Sequence, residues 1–415
     1  MNLLLTPGDD GFEQARLPWN RAVDQRPAAV AVPADAQEAA AVVRQARVRG
    51  LSVAVQAGGH GASGDVENAV LLRTSRLDRI DLDPDARTVR VGAGVQWGEV
   101  LKAAAPYGLT GLAGSSPVVS VVGYTLGGGL SWFSRRHGLA CDSVRSFDIV
   151  DAEGVARTVT AASDPDLFWA LRGGGGNFAL VTAVEFDLHP APALYGGRVL
   201  WPGERAARVV EAFQRITATA PDELTLWLDL LHFPGAPPMV AVDVTFLGTP
   251  ERAAALLRPL EDVGGVISDS RGPMSPADLG AITAEPTEPG AGVSRGELLT
   301  ALPAESLLAA PIEPLLSVQI RHLGGALARP GTASAAGRIA EPYALYLFGL
   351  PPAEPVRRRQ RELAESLPVS GRKPYTFLAP GEGAAAAFDE ESLIRLHKTK
   401  LAYDPDHVFR ANFPL

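Results

Sequence analysis

The residues of this chain that could do chemistry are few and far apart. His60 sits inside QAGGHGASG (56–64), a stretch with four glycines around one imidazole. Glycines let a backbone approach a phosphate closely and turn several N–H groups towards it. A histidine there is badly placed for packing and well placed for chemistry. Gly59 to Gly64 also spells G-x-G-x-x-G, the dinucleotide fingerprint, which needs a helix to begin at that point. DVEN and the apolar run 69–74 follow instead, so a second strand is expected and a Rossmann unit is not. A second glycine-rich segment, GSSPVVSVVGYTLGGGLS (114–131), has side chains small enough for a flat ring system to lie against the backbone. HGLACDSV (137–144) then carries the single cysteine, Cys141. Taken singly these residues are unremarkable: a lone cysteine is usually a small buried hydrophobe, and a lone loop histidine is usually solvated. His137 is expected to support the cysteine loop. His189, His232, His397 and His407 lack ligand spacing, so no metal is expected.

Regular elements must hold these loops in place. Residues 35–50 read as a helix, with Asp35 and Glu38 as a capping box, Ala39, Val42, Val43 and Ala46 on one face, and Gly50 as the stop. Strands are expected at 51–55, 69–74 and 87–94, a short helix at 97–108, a hairpin over 146–160, and a helix, glycine run and long strand over 164–188. After HPAP (189–192) the texture changes. Strands 196–201, 224–231, 239–248, 317–325 and 343–350 alternate with helices 203–216, 249–263 and 354–367. That order predicts an antiparallel sheet with helices on one face, and an α+β fold overall. Residues 264–312, rich in Pro and Gly, read as mostly loop. The tail, 393–415, reads as a helix, a turn at Asp404–Pro405 and an extended end.

The 415 residues suffice for two or three domains and a large core. A net charge of -9 and no basic stripe argue against a nucleic-acid partner. One cysteine excludes an intrachain disulfide. MNLLLTPGDDG has no basic n-region and only three leucines before a proline, so neither a signal peptide nor a membrane span is expected. A cytoplasmic protein, monomer or homodimer, is the expectation.

In combination the motifs are specific. VPADAQEAAAVVRQARVRGLSVAVQAGGHGASG (32–64), SPVVSVVGYTLGGGLSWFSRRHGLACDSV (116–144), RGGGGNFALVTAVEF (172–186), IRHLGGALARP (320–330) and KLAYDPDHVFRANFPL (400–415) span nearly the whole chain. Together they resemble the berberine bridge enzyme-like branch of the vanillyl-alcohol oxidase (PCMH-type FAD-binding) flavoproteins, most closely its bacterial oxidases. The resemblance implies a PCMH-type FAD-binding domain of two α+β subdomains beginning in 1–192, a substrate domain at 193–370, and a C-terminal segment, 371–415, that returns to the first. It implies FAD held bicovalently, by His60 at the flavin 8α-methyl group and Cys141 at ring position C6. An electron-poor isoalloxazine accepts addition of a neutral imidazole or a thiolate. Gly58, Gly59, Gly61, Ala62, Ser63 and Gly64 would hold the diphosphate. Ser115, Val119, Ser120, Val121, Gly123 and Gly127 would line the other side, Gly138 and Val144 would flank the cysteine attachment, Val181 would meet the adenosine, and Asn412 would close the flavin from the C-terminus. Val144 also stands where the family places valine or leucine near the oxygen-reactive edge. Valine is the residue linked with oxidases.

Two departures concern the base. The family's bacterial oxidases often carry an Asn–Tyr or Asn–Phe pair, the tyrosine commonly acting as base, in a stretch that here reads RKPYTFLAPG (372–381), placing Thr376 and Phe377 at the pair. The plant carboxylate follows a GG that here reads GGALAR (324–329), with no acid. Tyr124, Tyr375, Tyr403, Gln319 and Arg321 remain as catalytic candidates. Gln319 and Arg321 share one strand face, opposite Val318, Ile320 and His322, and the polar pair is expected to look at the ligand. Trp227, Leu228, Phe246 or Tyr346 would line an apolar pocket, with the inward set left open. The activity implied is an oxidase taking a hydride from a small-molecule alcohol or amine, including secondary metabolites, with O2 as acceptor and H2O2 as product. A redox-neutral or multistep cyclase, or a flavin- or ligand-binding protein with little turnover, are the alternatives.

Overall fold

The computed structural model describes residues 3–309, 311–329 and 333–415. Pro330, the last residue of the 320–330 motif, lies outside them, as do Met1 and Asn2.

The first helix forms where its cap is written. Asp35 accepts hydrogen bonds from Gln37 N (2.9 Å) and Glu38 N (2.8 Å), and Glu38 Oε2 accepts from Ala34 N at 2.7 Å. Such a cap is worth about 1 kcal/mol. The helix, Ala36–Val48, buries Ala39, Val42, Val43 and Ala46. They pack with Val53, Val70 and Leu72 of two parallel strands, Ser52–Gln56 and Ala69–Arg73. Leu4–Leu5 and Ala29–Ala31 complete one edge of this five-stranded sheet, and Phe409–Arg410 from the tail completes the other, parallel to Ser52–Gln56. No helix follows the glycine loop before Ala69, so a Rossmann unit is absent from the structure here as it was from the sequence context.

A second five-stranded sheet is antiparallel, in the order Ile80–Asp83, Thr88–Gly92, Leu180–Asp187, Val144–Val150, Ala156–Thr160. Its core, including Trp97, Phe147, Phe178 and Phe186, supports the 114–144 segment.

The third sheet is antiparallel throughout. Its main order is Ser268–Asp269, Leu194–Pro202, Met239–Leu247, Leu224–Leu231, Leu315–His322, Tyr343–Gly349, Val293–Leu299, with Gly272–Pro273 also on Leu194–Pro202. Val242, Leu228, Val318, Ile320 and Leu345 face helices Ala206–Thr217, Pro250–Glu261 and Ala353–Ser366 in one apolar core. The α+β expectation therefore stands. The 264–312 reading needs correction: it contains the strand Val293–Leu299 and the short helix Ala304–Leu308. The strand reads poorly because Arg295, Gly296 and Glu297 interrupt its apolar run. Glu297 is nonetheless buried, held by Arg295 Nε (2.8 Å) and Lys373 Nζ (3.1 Å).

The other face of this sheet meets the first half of the chain. Trp227 stacks on Trp132 with ring centroids 3.5 Å apart. Arg135 donates to the carbonyls of Leu224 (2.8 Å), Ala220 (3.1 Å), Pro221 (3.3 Å) and Leu323, and so stitches the junction. Among the described residues no helix is long and apolar enough to cross a membrane.

Candidate functional site

The glycine loop is held from three sides. Trp19 N and Asn20 N donate to the carbonyls of Gly58 (2.9 Å) and Gly59 (3.2 Å). Asn412 accepts from Ser63 N at 2.7 Å and donates to Gly61 O, so the tail clamps both sides of Ala62. Beneath, Arg73 donates to Gln56 Oε1 (2.5 Å) and Gly58 O (3.4 Å). Gly59 has φ +87°, and a Cβ there would stand 2.7 Å from Gln56 Oε1 and 2.9 Å from Pro18 Cβ. Gly64 has φ +90°. These two positions require glycine.

His60 lies against Trp19, with ring centroids 4.2 Å apart and planes 16° apart. Its Nε2 is buried without a partner. Burial lowers its pKa to about 4, so the imidazole is neutral at pH 7 and its free lone pair is available. Arg73 lacks any carboxylate partner among the described residues. Burial, with Arg21 nearby, lowers it to about 10, which still leaves it cationic. A cation behind a glycine-rich loop suits an anion.

Cys141 is fully buried among Leu130, Leu139, Leu298, Leu323, Ala344 and Phe377, which joins it to the third sheet. Burial, then the Asp142 charge, push the thiol well above its ordinary value. Asp142 Oδ1 stands 3.9 Å from its sulfur, and Asp142 is fixed by Leu139 N (3.0 Å) and Ser334 Oγ (3.1 Å). Unlike His60, Cys141 is protonated and needs an acceptor before it can add to anything. Gly127 and Gly129 leave room for Thr376 and Tyr124; a Cβ would stand 2.7 and 2.5 Å from those side chains.

Ser120 caps the helix Val121–Leu126, accepting from Gly123 N at 3.4 Å and donating to Ala93 O at 3.2 Å. Val121 N bonds Val95 O (3.0 Å), and Trp97 N bonds Val119 O (3.0 Å). Ser115 is half-buried just before this turn. Gly138 has φ +84° against Asp142. Val144 and Val181 are buried on neighbouring strands of the second sheet.

The polar face of the third sheet lies across from this. Trp227 is directly opposite Arg321 and Asp229 directly opposite Gln319. Arg321 Nε donates to Gln319 Oε1 (2.7 Å), and Gln319 Nε2 to Asp229 Oδ2 (3.4 Å). Arg198 grips Asp243 with two bonds (2.6 and 2.8 Å) and reaches Asp229 at 3.6 Å. Burial lifts Asp229 to about 6, outweighing the pull of Arg198. Tyr124 has a buried hydroxyl without a partner, and burial pushes its pKa well above the ordinary tyrosine range despite the opposing charge of Arg321.

Residues 27–160 match the FAD binding domain family. The chain is 32% identical over 292 residues to (R)-6-hydroxynicotine oxidase of Paenarthrobacter nicotinovorans, covering 68% of this chain and 63% of that protein. The chain spans about half the length of the curated relatives it matches. Among solved structures, 6-hydroxy-D-nicotine oxidase from Arthrobacter nicotinovorans superposes with a TM-score of 0.85 at 24% identity, over 98% of this chain and 96% of that one. Glucooligosaccharide oxidase from Acremonium strictum, which carries a 6-S-cysteinyl, 8α-N1-histidyl FAD, superposes at 0.84 and 20% identity, over 99% and 97%. These likenesses establish a shared fold.

The catalytic candidates divide by position. Tyr124, Gln319 and Arg321 belong to the junction. Tyr375 is tied by its hydroxyl to Phe413 O (2.9 Å), and burial raises its pKa. Tyr403 is elsewhere: its hydroxyl donates to Asp164 at 2.5 Å, and burial with that acid lifts it to about 12. Neither an amide nor a guanidinium serves as a base at neutral pH, so Gln319 and Arg321 can position but not deprotonate. Leu228 and Phe246 point into the helix-covered core, whereas Trp227 and Tyr346 share the polar face. Sequence reasoning missed Trp19, Arg73, Asp142, Asp229 and Glu285. Asp229 had a signal, an acid inside the apolar strand LTLWLDLL. Glu285 had none; it follows Ala284, a non-glycine at φ 50°, in the presumed loop.

Proposed function

We propose that the protein is an FAD-linked oxidase of a small-molecule alcohol or amine, with the cofactor attached through His60 and Cys141. The observation that carries this reading is His60 itself: a neutral, stacked imidazole with a buried, unsatisfied Nε2, set in a glycine loop that Asn412 clamps. The residues fit the group. Gly58 to Gly64 offer backbone donors to a diphosphate, and Arg73 supplies countercharge from behind. The small residues around Ser115 to Gly127, with Val119, Val121 and Gly123, leave a flat face. Val181 meets the adenosine side.

FAD, when bound, supplies the two-electron acceptor and, with O2, the route to H2O2. The chain's own part is attachment, orientation and proton handling. His60 enters attachment with one ring nitrogen already unprotonated, and its remaining N–H proton leaves once that nitrogen is bonded. Cys141 must give one up, and Asp142 is placed to accept it. On the substrate side Trp227 and Tyr346 offer aromatic surface, and Arg321 offers fixed positive charge. Proton removal from a substrate O–H or N–H falls to Glu285, which shares the field of Arg321, while burial keeps the Tyr124 hydroxyl protonated and leaves it only the part of a hydrogen-bond donor. Nucleic acid has no place in this reading.

The test is direct. Acid-precipitated protein should stay yellow, and its band should fluoresce on a denaturing gel. His60→Ala and Cys141→Ser should each keep covalent flavin, and the double variant should lose it. Colourless protein, or a chromophore that washes out completely, would end the reading. Peroxide formation over a panel of alcohols and amines tests turnover. Bound flavin without peroxide for any of them favours the low-turnover alternative.

A further inference from the structure

The polar sheet face carries a cation that its own protein leaves largely unsatisfied. Arg321 uses Nε to bond Gln319, and Gln319 bonds Asp229, whose other oxygen accepts from Ser317 Oγ at 2.6 Å. This chain fixes the direction of the guanidinium while engaging one of its five N–H donors. Among the described residues, the two terminal nitrogens have neither a hydrogen-bond acceptor nor a carboxylate within 4.0 Å. The guanidinium carbon lies 4.0 Å from the Trp227 ring centroid, 5.1 Å from that of Tyr346 and 5.5 Å from that of Phe377. Glu285, Asp229, Tyr346 and Tyr124 all feel its charge, yet none touches those nitrogens.

Such an arrangement is costly unless something completes it. A guanidinium in a low-dielectric junction interacts strongly with any opposite charge that reaches it. Cation–π contact with three rings recovers part of the lost hydration but leaves the N–H donors unmet. Two adjacent terminal nitrogens form the fork that matches a carboxylate with two parallel bonds. The surrounding rings would hold a planar, apolar body beside that fork.

We propose that Arg321 anchors the carboxylate of an aromatic acid, whose oxidisable alcohol or amine group is thereby carried towards the flavin. Gln319 and Asp229 are positioning residues that aim the fork. Tyr346 and Phe377 offer the apolar surface for the ring, while Trp227, covered by Trp132 on one face and by Arg321 on the other, holds the guanidinium in place. The assignment rests on the reading of this junction as the substrate side of a flavin site.

The probes are benzoate, its neutral isostere benzamide, and benzylammonium. Each is titrated into the holoprotein, followed by tryptophan fluorescence, to which Trp227 reports, and by visible absorption. Benzoate should bind at least ~10-fold more tightly than benzamide, the scale of one charge-assisted pair. Arg321→Gln should erase that preference. Arg321→Lys, which keeps the charge and loses the fork, should keep part of it. Gln319→Leu, which keeps the charge and frees its direction, should also reduce it, and covers the case in which Arg321→Gln fails to fold. Equal binding of benzoate and benzamide, a preference that survives Arg321→Gln, or tightest binding by benzylammonium would each overturn the proposal. The last would assign the slot to Glu285. The two readings fail separately: absent visible absorption sinks the flavin, while the fluorescence arm still judges Arg321.

Discussion

Asp404→Asn should loosen the tail and, through it, the flavin loop. The Asp404 side chain is wholly buried and accepts three hydrogen bonds: Lys400 Nζ at 2.5 Å, Val408 N at 2.8 Å and Phe409 N at 2.9 Å. Lys400 also donates to Asn177 O (2.6 Å) and Phe409 O (2.9 Å). An amide keeps the shape but offers a single acceptor oxygen, so at best it retains Lys400 and Phe409 N and turns its NH2 on Val408 N. One buried N–H is then unmet, which costs about 1–3 kcal/mol. The Lys400 ammonium also loses its buried counter-charge, and broken buried pairs lie around 3–5 kcal/mol. The two overlap, so the expected loss is about 3–5 kcal/mol. Burial already disfavours the Lys400 charge, and Asp404 is what offsets that. The strand Phe409–Arg410 would pair less firmly with Ser52–Gln56, and Asn412 would clamp Gly61 and Ser63 less well. Hydrogen exchange read at 408–413, with urea unfolding and flavin retention, measures the effect. Lys400→Met should cost a similar amount, and the double variant less than the sum. A change under ~1 kcal/mol in Asp404→Asn, with exchange at 408–413 unaltered, would refute the claim that this pair holds the tail.

Three further outcomes follow from single residues. Gly59→Ala, forced to φ +87° with Cβ 2.7 Å from Gln56 Oε1, should displace the loop and reduce bound flavin, as absorbance per protein would show. His60 has a folded pKa of about 4, below the ordinary histidine value, so its contribution to stability is complete above about pH 6.5 and is lost as pH falls towards 4. In a Cys141→Ser background, attachment at His60 should therefore keep a constant rate from about pH 5 to 8; a midpoint near 6.5 in that rate would contradict a pre-neutralised imidazole. Asp229 has the opposite sign: its folded pKa of about 6 exceeds the ordinary aspartate value, so stability present below about pH 4 falls as pH rises through 6. Melting curves of Asp229→Asn and the parent should diverge across that window, with the parent losing more.

The element order follows from local chemistry. Asp35 and Glu38 announce a helix because capping bonds form within four residues, and LTLWLDLL and MVAVDVTFLG announce strands because alternation and β-branching act between neighbours. The glycine loop and the cysteine segment were legible for the same reason, as unusual residue types at short spacing. Val293–Leu299 was not, since the partner that makes Glu297 acceptable is Lys373, 76 residues away. Nor could alternation decide that Trp227 and Tyr346 face the junction while Leu228 and Phe246 face helices, because both faces of those strands are buried. Tyr403 looked equivalent to Tyr124 until packing sent one to Asp164, 239 residues away in sequence, and left the other unpartnered. The free nitrogens of Arg321 and the neutrality of His60 belong to the tertiary structure alone. Both depend on what surrounds a charge in three dimensions, and neighbours in space come from segments that the chain keeps far apart.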